Sequence, residues 1–169
     1  MVVGVTGGPG SGLAVRLLEA LAPLPVETHL VMCGCAARRM ERETGRTPAE
    51  VRSLADRVYG ERNQAARISS GSFLTAGMVV APCSTTSLVS IGLGLASNLV
   101  HRAADVTMKE GRPLVLLLGE EEVGPLQAEA LLRLERVPGV SVLPPTADEA
   151  AAVGEALSRL GLEPLSAVT

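Results

Sequence analysis

The run Met78-Val79-Val80-Ala81 and the residues after it constrain this chain more than any other stretch. Four apolar residues without polar alternation mark a strand buried on both faces. Pro82 is expected to end that strand, and Cys83-Ser84-Thr85-Thr86-Ser87 then sets a row of small side chains where a helical pattern begins. A strand that closes on small polar residues at a helix start brings backbone N–H groups and hydroxyls to one point. Phosphates bind at such points. Further on, Asn98, Arg102, Asp105 and Lys109 recur at steps that line them up on one helix face. Gly111 is placed to end that helix, and Pro113 leads into the apolar run Leu114 to Leu118.

The same alternation organises the rest. Met1 to Thr6 reads as a strand entering Gly7-Gly8-Pro9-Gly10-Ser11-Gly12, and Leu13 to Leu21 has helical spacing. Glycines between a strand and a helix let backbone amides approach a phosphate. Leu13 stands where a Walker A loop needs Lys, and the spacing misses G-x-G-x-x-G, so a tight turn without a ligand stays open for this loop. Glu27 to Met32 is the second strand, ending at Cys33-Gly34-Cys35, and a helix with Arg38, Arg39, Arg42 and Glu43 follows. Thr47 with Glu50 forms a capping box around Pro48, and Arg57 to Tyr59 is a short third strand. Val123 to Arg136 reads as a helix and Val140 to Leu143 as the last strand. Thr146 with Glu149 reads as a second capping box, opening a helix from Ala147 to Leu160.

Alternating strands and helices predict an α/β fold, a Rossmann-like three-layer doubly wound parallel sheet of about six strands. The 169 residues are read as one domain spanning 1–169. In such sheets ligands sit beyond the carboxyl ends of the strands. Three small-residue turns meet there: Gly7 to Gly12, Cys33 to Cys35, and Pro82 to Ser87.

Composition excludes several classes. The net charge of -3 gives no basic footprint for nucleic acid, and Tyr59 and Phe73 are too few for base stacking. Apolar runs are far shorter than a membrane span of about 20 residues, and no signal peptide is visible. Cys33, Cys35 and Cys83 are an odd set without a C-x-x-C pair, which argues against a disulfide framework or zinc site and for free thiols in the cytoplasm.

Three strings add a resemblance: SSGSF at 69–73, APCS at 81–84, and HRAADVTMKEGRPLVLLL at 101–118. Together with the first Gly turn and ETHLVM at 27–32, they resemble the UbiX-like flavin prenyltransferases of the flavoprotein and decarboxylase superfamily, from Met1 to about Glu120. The resemblance implies FMN as cofactor and a homododecamer built of trimers, with Ser69 to Ser72 reaching a neighbour's flavin. It implies cofactor binding by Gly7, Gly8, Cys33, Ser84, Thr85 and Arg102. The implied reaction transfers a dimethylallyl group from dimethylallyl phosphate to reduced FMN, with Glu43, Lys109 and Glu120 acting on the leaving phosphate and on protons. No metal is implied, and the product is expected to serve a partner decarboxylase.

This chain departs from that pattern at several places. Pro9 stands where a serine is usual, Thr86 where a lysine is common and Leu95 where an aromatic is common. Gly119-Glu120 replaces an Arg-Glu pair. After Pro144-Pro145, a loop with a tyrosine and an arginine that closes over the prenyl phosphate is replaced by a capped helix. These departures predict a weak or redirected transferase. A flavin-dependent oxidoreductase or decarboxylase, or a non-catalytic FMN-binding homologue on the same fold, stays open. From the residues alone, Arg102, Asp105 and Lys109 also read as a solvated ion-pair ladder, Ser84 as a helix cap, and Cys33 and Cys83 as small buried residues. His29 and His101 show no triad or ligand spacing. The small-residue stretch Ile91 to Ala96 suits close helix packing and is read as a reason for self-association.

Overall fold

The computed structural model describes residues 1–119 and 123–162. Six parallel strands form one sheet: β1 (Val2–Val5), β2 (His29–Met32), β3 (Arg57–Tyr59), β4 (Met78–Cys83), β5 (Leu114–Leu118) and β6 (Val140–Leu143). Their order is β3-β2-β1-β4-β5-β6, so the chain reverses its direction of winding between β1 and β4. That is the doubly wound arrangement expected from the alternation. The four central strands are buried at every residue, as their unbroken apolar runs require, whereas the short edge strands β3 and β6 carry polar residues and keep some exposure.

The helices are α1 (Ser11–Leu21), α2 (Gly34–Thr44), α3 (Pro48–Arg52), α4 (Thr85–Gly92), α5 (Leu99–Lys109), α6 (Pro125–Glu135) and α7 (Glu149–Arg159). Helix α1 packs against α2 and α7, and α4 packs against α5 and α6. Right-handed crossovers to either side of β1 send these two groups to opposite faces of the sheet. Gly4 in the middle of β1 makes room for one of them, since a Cβ there would lie 2.8 Å from Val100 Cγ1 of α5. Among the described residues no helix is long and apolar enough to cross a membrane.

Several local expectations change. Strand β4 does not stop at Pro82 but runs to Cys83, pairing with Leu118 after a register shift. Proline lacks only the donor. The Pro82 carbonyl accepts from the Thr6 amide at 3.2 Å and the Thr6 hydroxyl at 2.9 Å, which holds the strand end in place. The capping box at Thr47 and Glu50 forms as read, but the one at Thr146 does not. Asp148 caps α7 instead, accepting from the Ala151 amide at 2.9 Å, while Thr146 takes the Asp148 amide. The Glu149 carboxylate is committed elsewhere, to Arg16 at 3.0 Å, and cannot fold back. The small residue at Gly92 serves packing within the chain, because a Cβ there would touch Ala130 of α6 at 3.0 Å.

Candidate functional site

A cavity of about 450 Å³ opens at the carboxyl ends of β1 and β4, where the winding reverses. Its wall includes Thr6, Gly7, Cys33, Ser84, Ser87 and Asn98. Three of these are the cap residues of three helices: Cys33 for α2, Ser84 for α4 and Asn98 for α5. The positive ends of three helix dipoles therefore meet in one space, which favours an anion.

Each cap is built by its own chemistry. The Ser84 hydroxyl accepts from the Ser87 amide at 3.2 Å, and the Asn98 side chain accepts from the His101 amide at 2.9 Å. Cys33 offers no such acceptor, so the Glu61 carboxylate reaches across to the Gly34 amide at 3.2 Å. Burial first, and then the Glu61 carboxyl beside it, push the Cys33 thiol far above its usual range. It stays protonated, in keeping with a small buried residue rather than a nucleophile.

The backbone is drawn in closely. The Ser84 amide donates to the Thr6 hydroxyl at 2.8 Å, tying the ends of β4 and β1 together. A Cβ on Gly7 would lie 2.6 Å from Cys35 Sγ, and one on Gly8 would lie 3.2 Å from Ser84 Cα. Only glycine lets these two turns approach to that extent. Gly7 lines the cavity, Gly8 sits against the Ser84 backbone, and Thr85 opens α4 while Thr86 and Ser87 of the same turn reach the wall.

Arg102, Lys109 and Glu43, assigned by the resemblance, do not line this cavity. Arg102 is one turn past Asn98, with its guanidinium on Asp105 at 3.1 Å. The Lys109 ammonium reaches the same carboxylate at 2.8 Å from the other side. The ladder read from the spacing is thus present, and two cations sharing one carboxylate leave its face with a surplus positive charge. Arg102 and Lys109 are seven residues apart, about 10 Å along the helix axis. Lys109 borders a separate apolar groove with Ile91, Met108 and Leu134.

Glu43 is placed by the first glycine turn. Its carboxylate accepts from the Gly10 amide at 3.2 Å and the Ser11 amide at 2.8 Å, and pairs with Arg39 at 3.1 Å. Burial would raise its pKa, but the Ser11 bonds and Arg39 outweigh burial and hold it below the usual carboxylate value. The amides that the sequence offers to a phosphate at α1 are therefore taken by a side chain. They face a second cleft of about 400 Å³, lined also by Arg16, Arg46 and Glu149. Glu120 lies outside the described residues.

The sequence reading missed Glu61, Ser97 and His101. Glu61 lies in a segment without periodicity, so nothing marked it. Asn98, three residues before His101, carried a helix-cap signal that was read only as part of a charged face. His101 is buried, with Nε2 at 3.0 Å from the Ser87 hydroxyl and Nδ1 at 2.8 Å from the Ser97 hydroxyl.

Both the sequence and the fold have known relatives. The family described as Flavoprotein matches residues 1–159. A probable UbiX-like flavin prenyltransferase of Bacillus subtilis is 49% identical over 145 residues, covering 86% of this chain and 71% of the relative. The solved dodecameric FMN-dependent UbiX-like decarboxylase of Escherichia coli O157:H7 superposes with a TM-score of 0.91 at 43% identity, over 99% of this chain and 97% of that one. A structure of AnUbiX (PadA1) in complex with FMN and dimethylallyl pyrophosphate gives a TM-score of 0.91 at 38% identity, over 96% and 92%.

Proposed function

The chain belongs to the flavoprotein family, and from that premise we propose that it is a UbiX-like flavin prenyltransferase with FMN as its cofactor. The observation that carries the reading is the meeting of three capped helix N-termini with a glycine-lined turn at the β1/β4 reversal. The residues there fit FMN. Hydroxyls of Ser84 and Thr86 and the positive helix ends suit its phosphate, and a side chain at Gly7 or Gly8 would fill the cradle.

When bound and reduced, FMN supplies the nucleophilic ring nitrogen that accepts a dimethylallyl group from dimethylallyl phosphate. The protein's own residues bind, orient and move protons. Ser84, Thr85 and the α4 N-terminus would hold the flavin phosphate, and Cys33 and the Gly7-Gly8 backbone would take the rest of the cofactor. Arg102 and Lys109 are assigned the positive charge, Arg102 toward the cofactor and Lys109 toward the departing phosphate. A departing phosphate needs such a cation. Glu43 is assigned a proton transfer by the resemblance, although, against burial, the Ser11 bonds and Arg39 lower its pKa and weaken it as a base. Glu120 is assigned the second proton transfer.

Lys109 lies in a groove apart from the cavity in one protomer, which supports a site completed between copies. The expected assembly is a homododecamer, as in the Escherichia coli neighbour. Free thiols at Cys33, Cys35 and Cys83 suit the reducing cytoplasm, and the prenylated flavin is expected to pass to a partner decarboxylase.

The test is anaerobic. The protein is mixed with reduced FMN and dimethylallyl phosphate, and the flavin is followed by mass spectrometry. Prenylated flavin is expected, at a rate lowered by roughly 10²–10³ for the cation missing at Gly119. FMN that stays bound but unmodified would overturn the transferase reading in favour of a flavin-binding homologue or another flavin reaction.

A further inference from the structure

We infer that His101 is a positioning residue: it sets the hydrogen-bond direction of Ser87 and Ser84, and so how strongly the cavity grips an anion. The inference rests on the reading that the flavin phosphate docks at Ser84. His101 and Ser87 are each 5% exposed, and both imidazole nitrogens are engaged. The Ser97 hydroxyl meets His101 Nδ1 at 2.8 Å, Nε2 meets the Ser87 hydroxyl at 3.0 Å, and the Ser84 hydroxyl donates to the Ser87 hydroxyl at 3.2 Å. The line crosses from α5 to α4 and ends at the cap whose helix dipole favours an anion.

Burial lowers the His101 pKa, so the ring is neutral at neutral pH, with one nitrogen donating and the other accepting. The line has two directions. With the proton on Nε2, His101 donates to Ser87, the bond that Ser84 donates in this structure turns round so that Ser87 donates it, and the Ser84 hydroxyl proton is left for a ligand. With the proton on Nδ1, Ser87 turns its proton to Nε2 and Ser84 turns its own to Ser87, so an anion meets only lone pairs. A hydrogen bond to a charged acceptor is about twice as strong as a neutral one. A phosphate at Ser84 therefore selects the Nε2–H form, and a ring that supplies that form strengthens phosphate binding. The ionisable groups in the same wall, Cys33, Cys35 and Glu61, lie near the α2 cap.

Two measurements test this. In the parent protein, nitrogen NMR of His101 with FMN bound is expected to show a protonated Nε2 and an unprotonated Nδ1; the opposite tautomer overturns the inference. Affinities for FMN and riboflavin, which lacks the phosphate, are then compared in the parent, His101→Leu, His101→Gln and Ser87→Ala. His101→Leu and Ser87→Ala are expected to shrink the FMN preference about tenfold and leave riboflavin affinity unchanged. His101→Gln, which can still donate to Ser87, restores most of the preference. Equal weakening of both ligands means a merely structural role and overturns the inference. A parent preference that survives both variants overturns it while leaving the docking reading intact. A parent without any preference for FMN removes the docking reading and the inference with it.

Discussion

At the scale of single residues, the two histidines set how the fold responds to mild acid. His29 and His101 are both buried, and burial is the main reason that each pKa lies below its ordinary value. The unfolded chain takes up these protons near pH 6.5, while the folded chain resists until a lower pH. Between those points the unfolded state binds more protons, so stability falls as pH drops through about 6.5 and levels off below the folded values. Glu50 and Asp56 are lowered mainly by backbone hydrogen bonds, and their share is lost only in the carboxylate range, below about pH 4.3. The melting temperature should therefore drop between about pH 7.5 and about pH 5.5, and His101→Gln should make that drop smaller. An identical drop in the variant would remove His101 as a cause. None of this was legible beforehand. Burial of a histidine depends on what packs over it, strand neighbours for His29 and α4 for His101, and the spacing of Asn98, Arg102, Asp105 and Lys109 drew attention to charge instead.

At the scale of elements, the turns explain two departures from the family pattern as one. A Cβ on Gly119 would overlap the Pro9 carbonyl and lie 3.1 Å from Pro82 Cβ. The end of β5 thus abuts the turn between β1 and α1, and Pro9 and Gly119 are neighbours, though 110 positions apart in sequence. Gly119→Arg alone should destabilise the fold by about 1–3 kcal/mol through overpacking. The same change with Pro9→Ser should cost less than the sum of the two, because the turn regains the freedom to shift. Denaturant titration of the two single variants and the double variant decides it, and strictly additive costs would refute the coupling. The strands and their doubly wound arrangement were readable because buried parallel strands are nearly all apolar and helices fill the gaps. What sequence pattern misplaced was punctuation: Pro82, which keeps its acceptor, and Thr146, whose partner Glu149 is drawn to Arg16.

At the scale of the molecule, exposed leucines bear on assembly. Leu74 is 84% exposed and Leu126 73%, and exposed apolar groups of this kind mark contact surfaces when they cluster. Leu74 follows the Ser69 to Ser72 segment, which Arg112 steadies by donating to the Gly71 carbonyl at 2.6 Å and the Phe73 carbonyl at 3.0 Å. Leu74→Arg is expected to reduce both the assembly, read by light scattering, and the retention of FMN. A variant that keeps its full size and flavin would show that this segment meets no neighbour. The cavity between β1 and β4 carries a consequence for the order of folding. The bond between Thr6 and Ser84 joins residues 78 apart, so the cavity closes only after both ends of that long loop have met. Closing such a loop costs entropy that no earlier local contact offsets. Neither end holds a finished cradle on its own, so a flavin seated there would bind a chain that has already folded and would delay its unfolding.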